Sequence, residues 1–188
     1  GKKATVALSA TKDVQDAILN DTQRAKLVDI IDIRYWHYKV DGLYAPEGGK
    51  NLAPRQHARK MKVGKVTFDE AYRAVSEYRK KFPEKAVTYY AQNYPDMAWA
   101  VFMASGSCPV VPVADESFLT DAAAMDMEDT GTNKYQKLVK SGIGSIIYSH
   151  SATDIPVHLS PGKYILKSVD PKTGAITVIA KRLNIKDV

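Results

Sequence analysis

The stretch from Tyr35 to His57, YWHYKVDGLYAPEGGKNLAPRQH, concentrates side chains that could do chemistry. It carries Trp36 with Tyr35, Tyr38 and Tyr44, the histidines His37 and His57, Glu47 within YAPEGG, a Gly-Gly pair and Arg55. Aromatic faces beside polar groups suit saccharides, because rings stack on a sugar's apolar face while donors and acceptors meet its hydroxyls. Packing of the aromatics within their own loop is the alternative. Glu47 offers a weak candidate for a general acid, with solvated loop glutamate as the plainer reading. The separation of His37 and His57 fits no metal-ligand spacing, and neither a metal nor an organic cofactor is expected. No P-loop, nucleophile elbow or dinucleotide-binding glycine pattern occurs.

The elements that must position this stretch follow from periodicity. ATVALSA (4–10) is short, apolar and β-compatible, and KDVQDAIL has Val14, Ala17 and Ile18 at helical spacing. LVDIIDIRYW (27–36) is β-branched and aromatic, as in a buried strand. Thr67 and Glu70 form a capping box ahead of an apolar stripe of Phe68, Ala71, Tyr72, Val75 and Phe82. KAVTYYAQ (85–92) reads as the next strand, and Asn93-Tyr94-Pro95-Asp96 as a helix start before the all-apolar MAWAVFMA. CPVVPV is expected to add a short strand, with Cys108 a buried structural thiol. This alternation predicts parallel strands in an α/β layer or barrel over residues 1–130. Two helical stretches, 117–127 and 134–140, should follow. From residue 142 to 188 GSIIYSH, DIPVHL, KYILKSV and AITVIAKRL predict an antiparallel β domain.

If the strands belong to a barrel, alternate residues face the interior. Ile31, Ile33, Val87 and Tyr89 suit the helix-facing side. That leaves Ser9, Asp32, Arg34, Trp36, Thr88, Tyr90 and Gln92 inward, converging with the long 36–66 loop on the C-terminal strand ends, where such barrels carry their sites. An interior Asp32–Arg34 salt bridge that merely fills space is equally compatible.

The chain has 188 residues, 45% hydrophobic and 26% charged, with net charge +6. Its cations are scattered, which argues against a nucleic-acid surface. One cysteine excludes an internal disulfide. No apolar run is long enough to span a membrane, and no signal peptide is visible.

The runs VDIIDIRYWHY, LYAPEGGKNLAPRQH and KAVTYYAQNYPDMAWAVFMASGSCP, with the tail pattern GxYxxxxxDPxTG at Gly162, Tyr164, Asp170, Pro171, Thr173 and Gly174, resemble the C-terminal part of Bacteroides-type glycoside hydrolases related to apiosidase-like barrels. In that family a helix of the pattern aW-a-a-Gly, with a an apolar residue, follows a late barrel strand, and Trp99 to Gly106 is similar. The resemblance implies three to four late βα units of a (β/α)8-type barrel followed by a small antiparallel β-sandwich-like tail. It also implies a polysaccharide-degrading protein acting in the periplasm or outside the cell. Retaining glycosidases use two carboxylates about 5 Å apart. The acid/base would come from an earlier strand, and the nucleophile position offers neutral Gln92. The chain is therefore expected to recognise carbohydrate and to hydrolyse glycosidic bonds only within a complete barrel. The missing half would come from a longer chain or a homo-oligomer. The substrate-binding set comprises Asp32, Arg34, Trp36, His37, Tyr44, Glu47, Arg55, His57, Tyr90 and Gln92. A non-catalytic carbohydrate-binding or assembly module with a vestigial site is the alternative, and a small enzyme pairing Glu47 with His57 a third.

Overall fold

A computed structural model of the chain describes residues 4–45, 66–90, 95–150 and 154–185. Its first part is a three-stranded parallel sheet in the order β1 (Ala7–Ser9), β2 (Ile30–Ile33), β5 (Ala86–Tyr89). Between β1 and β2 lie α1 (Lys12–Asn20) and α2 (Thr22–Ala25). Between β2 and β5 lie a small hairpin, β3 (His37–Tyr38) with β4 (Tyr44–Ala45), and helix α3 (Phe68–Lys81). Helix α4 (Pro95–Met103) follows β5 and packs on α3.

Local sequence explains these elements. Thr67 accepts from the Glu70 amide while the Glu70 carboxylate accepts from the Thr67 amide, so the predicted capping box forms. Lys80 and Lys81 close α3 where cations favour the helix dipole. The β-branched residues of β2 alternate as expected. Ile31, Ile33, Val87 and Tyr89 are buried on the face that α3 contacts, and α4 is buried all round from Met97 to Met103.

Helix α1 does not bury the apolar spacing of its sequence. Val14 is exposed, whereas Lys12, Gln15 and Leu19 are buried. The reason is a polar network. Gln15 donates its Nε2 to the carbonyls of Leu8 (2.8 Å) and Asp32 (3.0 Å), joining β1 to β2. Its Oε1 accepts from Trp36 Nε1 at 2.7 Å and from the Tyr78 hydroxyl at 3.4 Å. All four hydrogen-bonding positions of the amide are filled. Beside it, the Lys12 ammonium meets Asp16 and Glu77 at 2.8 Å each, within 5.1–6.0 Å of the Trp36, Tyr38, Tyr44 and Tyr78 ring centres. Burial opposes that charge, but its bonds to Asp16 and Glu77 outweigh burial and raise the Lys12 pKa.

The second part begins with α5 (Glu116–Ala123), capped by Asp115. An antiparallel sheet β6 (Asp126–Glu128), β7 (Tyr135–Lys140), β8 (Gly144–Ser149) follows, then a hairpin of β9 (Gly162–Val169) and β10 (Ile176–Ile185). Three expectations need correcting here. Of the helix expected over 134–140, residues Tyr135–Lys140 form the central strand β7 instead, because pairing with β6 and β8 on both sides outweighs local propensity. CPVVPV forms no strand: Pro109 and Pro112 lack the N–H that a ladder needs, and Cys108, at φ 54°, turns its thiol into solvent instead of burying it. DIPVHL, interrupted by Pro156, is likewise irregular. The sheet spans 126–149, so it bridges the interval between the two expected domains. The overall layout is α/β followed by β-rich, and the described strands do not close a barrel.

An aromatic seam joins the parts. Phe68 stacks on Tyr148 at 4.9 Å, Tyr148 on Trp99 at 5.8 Å, and Phe102 on Phe118 at 5.9 Å. The DPxTG turn is a second clamp. Asp170 accepts from the amides of Lys172 and Thr173, and Trp99 Nε1 donates to the Pro171 carbonyl at 2.8 Å. Gly174 has φ +73°, and a Cβ there would lie 2.0 Å from the Pro112 carbonyl oxygen. Only glycine allows this approach.

Two measurements test the network. Gln15→Leu should lower unfolding free energy by about 2–4 kcal/mol in urea titration, because it strands several buried partners. Burial, reinforced by the bond to Glu77, pushes the Tyr38 phenol up to about 12. An unfolded tyrosine ionises near pH 10. The Tyr38 contribution is therefore complete below about pH 10 and is lost as pH rises through the folded value. Denaturant midpoints followed across that range should fall, and fall less in Tyr38→Phe.

Candidate functional site

Parallel register builds the site. Ser9 stands opposite Asp32 and Asp32 opposite Thr88, so three polar residues form one row across β1, β2 and β5. They occupy the sheet face opposite to Ile31, Ile33, Val87 and Tyr89, since successive side chains alternate. Asp32 is buried at the centre of the row. Its carboxylate accepts from the Ser9 hydroxyl, from Arg34 Nε, and from Thr88 Oγ1 at 3.0 Å. Two residues further along, Arg34 lies with its guanidinium carbon 5.8 Å from the Tyr90 ring centre. The Asp32 hydrogen bond holds the Arg34 pKa above its usual value.

Exposure separates the members of this group. Ser9 is exposed, Thr88 and Tyr90 are half-buried, and the Arg34 side chain is 40% exposed although its carboxylate partner is only 8% exposed. Below the row, Ala7 is exposed and Ile30 and Ala86 are half-buried. The helices cover one face of the sheet and leave this one open among the described residues. The Asp32–Arg34 ion pair expected from the alternation is present, and it sits at the edge of the open face, not within a filled interior.

The structure divides the remaining candidates. Trp36 does not line the site: β2 ends at Ile33, the two-residue alternation lapses, and the fully buried indole turns to Gln15 on the helix side. Its ring meets Tyr38, Tyr44 and Tyr78 edge-on at 5.4, 6.4 and 6.0 Å. Tyr44 thus belongs to the cluster around Lys12. His37 pairs with Ala45 in the β3–β4 hairpin, its Nδ1 2.7 Å from the Tyr38 carbonyl oxygen. Glu47, Arg55, His57 and Gln92 lie outside the described residues. Sequence reasoning did not single out Gln15, which fixes the backbone at Leu8 and Asp32 on which the polar row is mounted. Its only signal was a glutamine at a position facing the sheet from α1.

A shallow cleft lies elsewhere, lined by Thr67, Phe68, Asp69, Asn133 and His150. The capping box already engages the helix end there, and His150 packs edge-on against Phe68 at 4.2 Å. Among the described residues no group of three or more histidine, cysteine or carboxylate side chains could hold a metal ion.

The row makes Asp32 the anchor of Arg34. Asp32→Asn should reduce stability by about 1–2 kcal/mol, the half-exposed arginine tempering the loss of a charged partner. Thermal unfolding of that variant beside Asp32→Ala checks this, with the alanine variant the less stable.

No curated protein and no solved structure matches the chain. Residues 1–125, two thirds of the sequence, match the family model described as a domain of unknown function, DUF6298. That span contains the parallel sheet and the whole Ser9–Asp32–Thr88–Arg34–Tyr90 group, and the chain belongs to the DUF6298 family.

Proposed function

We propose that this chain recognises carbohydrate on the open face of its parallel sheet, as part of a glycoside hydrolase whose reaction needs further barrel strands. The observation that carries this reading is the polar row at the C-terminal ends of β1, β2 and β5, continued by Arg34 and Tyr90. Parallel sheets are normally covered on both faces. Polar residues at the C-terminal strand ends are where (β/α) barrels carry their sites. An open face with a hydrogen-bonded aspartate, an arginine and a tyrosine ring fits an incomplete barrel top. Tyr90 offers a ring face to a sugar, and Arg34 donors to its oxygens.

The chemistry favours binding over hydrolysis by this chain alone. Glycosidases need a carboxylate pair across the scissile bond. Asp32, the carboxylate at the centre of this face, already accepts three hydrogen bonds, which suits an anchor better than a nucleophile or proton donor. The same saturation favours the second reading, a non-catalytic binding module with a vestigial site. The two part on activity of a longer protein containing this domain. A hydrolase of this kind would act in the periplasm or outside the cell, and none of the described helices is long and apolar enough to cross a membrane.

Glycan-array binding of the chain, followed by calorimetry on the hits, tests the proposal. Tyr90→Ala and Arg34→Ala should each weaken binding by about tenfold or more while the fold persists. An array without binding, or hits indifferent to both changes, overturns it. Trp36→Ala is unsuitable as a probe, because it would empty the core.

A further inference from the structure

The hydrogen-bonding polarity of the open face is uneven, and that unevenness names a ligand class. A serine or threonine hydroxyl has one hydrogen to give. Ser9 and Thr88 both give theirs to Asp32, so toward a ligand each presents only lone pairs. Arg34 is the opposite: a guanidinium carries five N–H donors and accepts nothing. Asp32 engages Nε, yet the side chain stays 40% exposed, with its guanidinium carbon 5.8 Å from the Tyr90 ring centre. The face therefore sets a row of acceptors beside an oriented, charged fork of donors. Arg34 Nε and the Ser9 hydroxyl bond the same Asp32 oxygen, so the donors and acceptors lie side by side, within the span of one sugar ring and its substituents.

We infer that the face selects an acidic sugar, a uronate whose carboxylate is held by Arg34 while its ring hydroxyls donate to Thr88 and Ser9. The inference rests on the reading of this face as a saccharide site. A guanidinium fork pairs with a carboxylate through two charge-assisted bonds, which are stronger than bonds to a neutral hydroxyl. A neutral sugar would offer the remaining guanidinium N–H donors only hydroxyl oxygens, which accept weaker bonds than a carboxylate. A phosphate or free anion would satisfy Arg34 but leave the acceptors of Ser9 and Thr88 without donors. Only a ligand that is both polyhydroxylated and anionic meets both halves. The chain's net charge of +6 adds a long-range attraction of the same sign.

Calorimetry with the intact chain tests this, using a uronic-acid trisaccharide and the same trisaccharide with its carboxylates reduced to alcohols. The acidic ligand should bind about tenfold or more tighter. Arg34→Gln should abolish that preference by weakening the acidic ligand alone. If Arg34→Gln lowers the melting temperature enough to affect folding, Arg34→Lys carries the test. It keeps a cation near Asp32 but lacks the fork, and should lose most of the preference. Equal affinity of the wild type for both trisaccharides overturns the acidic-sugar assignment and leaves saccharide recognition standing. A preference that survives Arg34→Gln also overturns it, because another cation then reads the carboxylate. Binding of neither overturns both.

Discussion

One side-chain amide ties this structure together. Gln15 reaches from α1 to the carbonyls of Leu8 and Asp32 and accepts from Trp36 and Tyr78. It thereby joins two parallel strands, the segment after β2, and helix α3. A buried amide is favourable only when all its positions are filled, and a half-filled one would cost more than an apolar side chain. That requirement fixes the rotation of α1 about its axis, so that Lys12, Gln15 and Leu19 point inward while Val14 faces water. It also sets Asp32 in place, and Asp32 in turn orients Arg34. The site and the core are consequently coupled through a few ångströms of shared polar contact.

The second constraint is that, among the described residues, the parallel sheet is covered on one face only. α3 and the buried Ile31, Ile33, Val87 and Tyr89 account for the covered side. The other side carries charge and hydroxyls, which lets water solvate it where an apolar surface would invite aggregation. The same residues that make the face tolerable in water are those that could meet a sugar. The tail is held against this unit by specific contacts: the Trp99 bond to Pro171, the close approach of Gly174 to Pro112, and the aromatic seam through Tyr148. The DPxTG pattern is therefore explained by docking, without recourse to ligand chemistry.

Much of this was legible in the sequence where one local rule acted alone. The capping box at Thr67 and Glu70, the three parallel strands, and the shared sheet face of Ser9, Asp32 and Thr88 all follow from spacing. Trp36 was not legible, because alternation holds only while the strand lasts and β2 stops three residues earlier. Strand β7 was missed because its identity depends on partners on both sides, which no local window contains. Cys108 lies in an apolar run yet is exposed, since the prolines around it break regular structure. Gln15 was invisible for a general reason: a buried polar residue declares itself only through its partners, and these come from four separate segments.

The most direct measurement is backbone NMR of the isotope-labelled chain during titration with an acidic oligosaccharide. Saturable shifts are expected at the amides of Ser9, Asp32, Arg34, Thr88 and Tyr90, at the C-terminal ends of the three parallel strands. Saturable shifts confined to the cleft around Phe68 and His150, or an unchanged spectrum, would contradict it.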